Sequence, residues 1–179
     1  TPVIVFINKL DREGLDPFDL LDEVERELGV VTAPMVWPIG MGDRFKGVYN
    51  IFDHELNLFT PNKQHVVEDL HHIESLDSPD LVQHIGAAAA ERLAEEVEMV
   101  EGVYPTFDHD AYLAGEQAPV FFGSALNTFG VRELLDTFVR IAPSPQPVQA
   151  EEREVSPYEE SFTGFVFKIH ANMDPNHRS

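Results

Sequence analysis

Cysteine is absent from the 179 residues, which excludes disulfide bridges and thiolate metal sites. Long apolar runs are absent too. None approaches the roughly 20 residues of a membrane-spanning helix, and none has the form of a secretory signal. We therefore expect a soluble, cytoplasmic protein with no membrane partner.

Basic residues are scarce. Twelve Lys and Arg residues face thirty-two Asp and Glu residues, which gives a formal net charge of -20. A surface of this kind repels phosphate backbones, so we expect no broad face for direct nucleic-acid binding. At 43% hydrophobic residues the chain can still bury a substantial core.

The opening residues predict a strand, a loop and a helix. Pro2 to Ile7 form an apolar run rich in β-branched side chains, typical of a strand covered on both faces of a parallel sheet. Asp16 and Pro17 then mark the start of a helix, and Gly29 marks its end.

A second unit of the same kind lies near the other end of the chain. Pro119 to Phe122 form a short apolar strand, a loop follows from Gly123 to Asn127, and a helix starts near Val131 and stops before Pro143. Two such units predict an α/β fold in which the ligand-binding loops follow the carboxyl ends of the strands.

The residues between the two units differ in character. Residues 30 to 59 combine glycine with aromatic and β-branched residues, which favours strands and hairpins. Ser78 and Pro79 then open a long helical pattern that Gly86 is expected to kink. We interpret residues 30–115 as an inserted α+β subdomain. Residues 143–157 form a proline-rich and acidic linker, and residues 162–169 predict a further strand.

Three polar side chains follow the first strand directly: Asn8, Lys9 and Asp11. An ionised carboxylate such as Asp11 can accept both the N1–H and the exocyclic amine of guanine, a pair of donors that adenine lacks. Asn8 would brace the loop and reach the edge of the base, while the stem of Lys9 would cover the ring. The alternative interpretation is an ordinary polar turn at the end of a strand.

The second loop can supply the hydrogen-bond donor that guanine O6 would still need. Ser124, Ala125 and Leu126 follow the second strand, where a backbone N–H can donate to guanine O6. Ala125 is small enough to let its amide approach the base, and the Ser124 hydroxyl could orient Asp11.

Other patterns favour structure over function. His71 and Glu74 have a spacing that suits a metal, but no second motif supports a metal site, so we predict a solvated face. The Glu91, Glu95 and Glu98 stripe is explained by a solvated helix face.

The two loop motifs, Asn8 to Asp11 and Ser124 to Leu126, resemble the guanine-recognition motifs of translational GTPases, and the interval between them is similar to the inserted subdomain of the elongation factor G group. Three stretches further resemble the bacterial peptide chain release factor 3 family: WPIGMGDRFKGVYN at 37–50, PVFFGSALNTFGVRELLD at 119–136 and FTGFVFKIHANMDPNHR at 162–178.

This resemblance implies a ribosome-dependent GTPase that helps to remove decoding release factors after peptide release. It also implies that residues 1–29 and 116–142 are the C-terminal half of a P-loop-type G domain, with residues 30–115 as its insertion. Residues 158–179 would begin a β-barrel second domain. GTP or GDP would be the ligand, and a ribosomal stalk protein would be a further partner through the insertion.

The phosphate-binding motif Gly-x-x-x-x-Gly-Lys-Ser/Thr does not occur in the sequence. We therefore expect an internal fragment that supplies base recognition, is inactive by itself and leaves the Mg²⁺ ligands to other parts of the protein. Two alternatives stay open: an elongation-type translational GTPase, and an acidic interaction module with no nucleotide role.

Overall fold

The computed structural model describes residues 1–59 and 70–166. The chain divides into two compact units, Thr1–Ala142 and Pro143–Ser179. The first unit contains β1 (Val5–Ile7), α1 (Pro17–Leu28), β2 (Val31–Pro34), β3 (Val36–Ile39), β4 (Gly47–Asn50), β5 (Glu55–Leu58), β6 (Leu70–His72), α2 (Pro79–Ile85), α3 (Ala87–Val103), α4 (His109–Ala114), β7 (Gln117–Phe122) and α5 (Val131–Ile141).

A parallel sheet of three strands, in the order β1-β7-β2, carries both predicted strand–loop–helix units. The central strand β7 is buried along its whole length, as its apolar sequence predicts. β1 and β7 are aligned so that Ile7 lies opposite Phe122, and both strands end there. On the other side of β7, Val31 to Pro34 pair with Gln117 to Val120. Strand β2, which falls within the predicted insertion at residues 30–115, is therefore part of this parallel sheet.

Helix α1 begins and ends where its sequence signals predict. The Asp16 carboxylate accepts a hydrogen bond from the Phe18 N–H at 3.0 Å, and Pro17 occupies the first turn. Gly29 takes a left-handed conformation, with φ of 66°, and its N–H donates to the Glu25 carbonyl.

A second sheet is antiparallel, with the order β3-β4-β5-β6. Helices α2 and α3 follow it. The expected kink at Gly86 is a complete break, because Gly86 has φ of 83° and ends one helix while it begins the next. Ser78 caps α2 by accepting a hydrogen bond from the Leu81 N–H at 3.3 Å.

Trp37 joins the two sheets and the helices in one core. It is fully buried, and its ring lies 4.7 Å from that of Phe18 and 5.5 Å from that of Phe122. Its indole N–H donates to the Glu96 carboxylate on α3 at 2.8 Å, which gives the buried polar atom a partner.

The second unit contains a two-stranded antiparallel ribbon, β8 (Val148–Gln149) and β9 (Glu154–Val155), within the predicted linker. The Arg153 guanidinium binds both oxygens of Glu159, at 2.6 and 2.9 Å. The strand predicted over residues 162–169 is absent from residues 162–166, and residues 167–169 lie outside the described part of the chain. A β-strand forms only by pairing with another strand, and no strand pairing over residues 162–166 occurs in the described part of the chain.

Within residues 1–59 and 70–166, no helix combines the length and the apolar character needed to cross a membrane.

Candidate functional site

The two candidate loops leave neighbouring strands at the same edge of the parallel sheet. The Gly123 N–H donates to the Ile7 carbonyl at 3.0 Å, and the Leu10 N–H donates to the Gly123 carbonyl at 3.1 Å. These two bonds extend the β1–β7 pairing past the strand ends. Backbone contacts therefore fix the first loop against the second.

Asn8 adds a side-chain connection between the loops. Its Oδ1 accepts hydrogen bonds from the Ala125 N–H at 2.9 Å and from the Lys9 N–H at 2.8 Å. This amide oxygen therefore joins Asn8 to a residue 117 positions further along the chain. The Nδ2 group of the same side chain makes no hydrogen bond in the part of the chain that the structure describes, so it can donate to a ligand.

The second loop is organised differently from the sequence expectation. The Ser124 hydroxyl oxygen accepts from Asn127 Nδ2 at 2.8 Å, and no Ser124–Asp11 bond occurs among the described residues. The Ala125 N–H is bound to Asn8. Leu126 is the next residue on this turn, and its side chain is exposed. Its backbone N–H is therefore the donor that follows that of Ala125 along the loop.

Lys9 has an unusual backbone conformation. Its φ is 72°, in the left-handed region that side-chain-bearing residues seldom adopt. The Arg12 N–H closes this turn on the Lys9 carbonyl at 3.0 Å, and the neighbouring Leu10 side chain is buried. The Lys9 side chain is exposed, and it lies next in sequence to Asn8, the residue that binds the second loop.

Asp11 is half-buried at the end of the first loop. Within the described ranges its carboxylate has neither a hydrogen bond nor a salt bridge. Both of its oxygens can therefore accept hydrogen bonds from a ligand. A carboxylate acceptor, an amide and an ammonium thus occupy one loop.

The second loop closes through a bridge between Ser124 and Phe129. Each of these residues donates its N–H to the other's carbonyl at 3.0 Å. A Cβ atom on Gly123 would lie 2.3 Å from the Phe129 oxygen, so only glycine fits at this position. The sequence analysis placed this glycine in the loop but did not identify its role. Its position directly after a buried strand is the signal that could have shown it.

Leu10 connects the site to the antiparallel half of the unit. Its carbonyl accepts from the Gly42 N–H at 2.9 Å, in the short turn between β3 and β4. Nothing in the local sequence of either residue predicts this contact, because it depends on how the two sheets pack.

The described residues contain no group of three His, Asp or Glu side chains placed to hold a metal ion. His71, one of the two residues considered for a metal, stacks on His84 with ring centres 3.8 Å apart. The two loop motifs, Asn8 to Asp11 and Ser124 to Leu126, contain one carboxylate, Asp11, so they fit a nucleotide base better than Mg²⁺.

Two comparisons bear on identity. A crystal structure of a protein from Thermus thermophilus matches with a TM-score of 0.52 at 22% sequence identity, over 81% of this chain and 23% of that one. This match supports the fold, and the chain spans about a quarter of that protein's length.

The family model described as the elongation factor Tu GTP binding domain matches residues 1–144. That range contains both candidate loops and all of the first compact unit. This chain belongs to the elongation factor Tu GTP-binding domain family.

Proposed function

We propose that the two loops bind the guanine base of GTP and GDP, with Asn8, Lys9 and Asp11 in the first loop and Ser124, Ala125 and Leu126 in the second. The observation that carries this proposal is the hydrogen bond from the Ala125 N–H to Asn8 Oδ1, which joins the loops at one sheet edge beside the open Asp11 carboxylate.

Each group has a distinct role in this proposal. Asp11 accepts from the N1–H and the exocyclic amine of guanine, and the apolar stem of Lys9 covers one face of the ring. Because Ala125 donates to Asn8, the Leu126 N–H is our choice of donor to guanine O6. Adenine would leave Asp11 desolvated without a partner, and sites of this kind reject the wrong ligand by about 10⁴-fold.

We further propose that the chain is one segment of a ribosome-dependent GTPase of the release factor 3 type. Support comes from the family match over residues 1–144 and from the three sequence stretches that resemble that family, at 37–50, 119–136 and 162–178. An elongation-type factor is the alternative, because the matching family model is described by an elongation factor.

In this proposal residues 1–29 and 116–142 are parts of the G domain, residues 30–115 are its insertion, residues 143–157 are the linker and residues 158–179 begin the β-barrel domain. GTP hydrolysis belongs to the larger protein. Its phosphate-binding residues and Mg²⁺ ligands lie outside this chain, so the chain alone is inactive. Mg²⁺ would neutralise phosphate charge during that reaction.

The proposed partners are the ribosome and, indirectly, the decoding release factors in the cytoplasm. A ribosomal stalk protein is proposed to contact the inserted subdomain, where α3 presents exposed Glu91, Glu95 and Glu98 side chains. A GTP-dependent increase in the rate at which decoding factors leave ribosomes after peptide release would separate this role from an elongation role.

The substitution Asp11→Asn tests the base assignment. Xanthine has an oxygen where guanine has its exocyclic amine, so it can accept from the new amide while its N1–H meets the amide oxygen. We expect GTP binding by the intact protein to weaken about 10- to 100-fold, and XTP to become the preferred ligand. Calorimetric titration with both nucleotides measures the change.

The matched control is Asp43→Asn, an exposed carboxylate in the turn after β3. It should leave the GTP preference unchanged. An Asp11→Asn protein that still prefers GTP over XTP would show that Asp11 does not contact the base.

A further inference from the structure

A pocket of about 510 Å³ lies beside the continuation of the first loop, and none of the six residues proposed to bind guanine lines it. Its walls are the loop that leads into α1, the turn after β3, and the first three turns of α3. This volume is within the usual range for sites that bind small organic molecules. The apolar part of its lining includes Leu15, Ile39, Met41 and Leu93.

Three of the chain's twelve basic side chains line this pocket, namely Arg44, Lys46 and Arg92. Three acidic side chains, Glu13, Asp16 and Glu96, line it as well, so the availability of each charged group decides what the pocket can bind. Arg44 makes no side-chain hydrogen bond within the described residues. Its guanidinium is therefore available to a ligand.

Arg92 is held in place at the pocket wall. Its Nε donates to Glu96 Oε1 at 2.6 Å, and the other oxygen of Glu96 accepts from the buried Trp37 indole. The hydrogen bond to Glu96 raises the pKa of Arg92, which keeps the guanidinium charged. Among the described residues its side chain bonds through Nε alone, so its two terminal amino groups remain as donors.

Two of the three acidic side chains at the pocket already have partners. Glu96 binds Trp37 and Arg92, and Asp16 caps α1 through the Phe18 N–H. Glu13 is the remaining carboxylate, and it lies against Gly42, where an added Cβ would be 2.5 Å from its Oε1. Two of the three carboxylates are thus held by contacts within the protein, and one of them, Glu96, is paired with a cation.

The start of α3 adds further donors to the same wall. This 17-residue helix has no side-chain cap and no acidic residue in its first turn, and Ala88 and Ala89 line the pocket. Its first backbone bond runs from the Ala90 N–H to the Gly86 carbonyl, so the preceding N–H groups have no partner within the helix. Lys46 secures the adjoining end of α2 by donating to the Ile85 carbonyl at 2.5 Å.

We propose that this pocket binds a small organic anion, an apolar ring or chain with a carboxylate or phosphate group. The apolar body lies over Leu93 and Met41, and the anionic group meets Arg44 and Arg92. None of the residues proposed to bind guanine lines this pocket, and the proposal does not depend on the function proposed above.

The test uses three probes with the intact protein: naphthalene-2-carboxylate, the uncharged naphthalene-2-carboxamide, and inorganic phosphate. The carboxylate has both the apolar ring system and the negative charge. The carboxamide has the ring system without the charge, and phosphate has the charge without the ring system. Ligand-detected NMR titration gives each dissociation constant. We expect the carboxylate to bind at least about ten times more tightly than either of the other two.

Variants locate the binding. Arg44→Gln should weaken binding of the carboxylate about tenfold, and the double variant Arg44→Gln/Arg92→Gln should reduce it to the level of the amide. Arg26→Gln is the matched control, because Arg26 is an exposed arginine on α1 outside the pocket. Arg44 is itself exposed, so its single variant should keep the fold.

Three results would overturn the proposal. The first is no saturable binding of the carboxylate to the wild-type protein. The second is equal affinity for the carboxylate and the amide. The third is a carboxylate affinity that Arg44→Gln leaves unchanged, or that Arg26→Gln lowers equally.

Discussion

Lys9 shows how a single residue can hold a strained backbone in a useful place. A left-handed conformation costs a residue with a side chain about 1–2 kcal/mol, and Lys9 keeps it with φ of 72°. The bonds that hold it come from Asn8 and Arg12 on either side. In the proposed site this geometry brings the lysine stem over the base.

Replacing Lys9 with glycine should therefore change stability and binding in opposite directions. Glycine removes the left-handed strain but loses more entropy on folding, so we expect the free energy of unfolding to rise by up to about 1 kcal/mol. GDP affinity should fall several-fold, since the stem over the ring is gone. Urea unfolding and GDP titration measure the two effects.

Lys9→Arg is the control for that experiment, because it keeps both a long stem and the strained backbone. Both quantities should stay near their wild-type values. A Lys9→Gly protein with unchanged GDP affinity would remove Lys9 from the site.

Among the elements, the second loop depends most on exact packing. It is closed by the Ser124–Phe129 bridge, and Gly123 lies directly under the Phe129 carbonyl. The same glycine also bonds Ile7 at the end of β1 and Leu10 in the first loop. A side chain at this position would disturb the two loops together.

Gly123→Ala should destabilise the chain by about 1–3 kcal/mol, because its methyl group would meet the Phe129 oxygen and the Phe6 ring. Gly102→Ala is a matched control: this glycine lies within α3, and its added Cβ would have open space. The control should stabilise by about 0.5–1 kcal/mol, since alanine favours helices. Thermal unfolding compares the two, and equal effects would contradict the packing described here.

The elements that could be predicted from the sequence are those with local signals. Asp16, Pro17 and Gly29 bound α1 as expected, and Gly86 separates two helices. Sequence reasoning assigns strand β2 to the insertion because its partner, β7, lies more than 80 residues away and no local pattern identifies it. For the strand predicted at 162–169, the described residues 162–166 are not in a sheet, because a strand forms only with a partner.

The same distinction applies to the candidate site. The residue types that follow the strands identified both loops, since polar groups after two parallel strands meet at one sheet edge. The bonds within the site could not be predicted: Ser124 binds Asn127, and Ala125 binds Asn8. Nor could the pocket at Arg44 and Arg92, whose side chains come together only in the folded chain.

At the scale of the whole molecule, charge is the dominant feature. Thirty-two acidic residues against twelve basic ones produce self-repulsion in the compact state. The surface ion pairs of the first unit, such as Arg132 with Asp136 on α5, are solvent-exposed and add little to stability. The core around Trp37 must therefore provide most of the stability.

Salt should stabilise this protein. Raising KCl from about 0.01 M to about 0.3 M shortens the Debye length from about 30 Å to below about 10 Å, which screens repulsion between like charges. We expect the melting temperature to rise by several degrees, as measured by circular dichroism. A melting temperature that falls with added KCl would show that attractive pairs outweigh the repulsion.

Guanine binding by the two loops is the central claim, and calorimetric titration of the intact protein with GDP and ADP, repeated for Asn8→Ala, tests it most directly. We predict that GDP binds with at least about 10³-fold preference over ADP, and that Asn8→Ala, which removes the bond to Ala125, lowers GDP affinity about tenfold or more. Equal affinity for GDP and ADP, or a GDP affinity that Asn8→Ala leaves unchanged, would contradict the account.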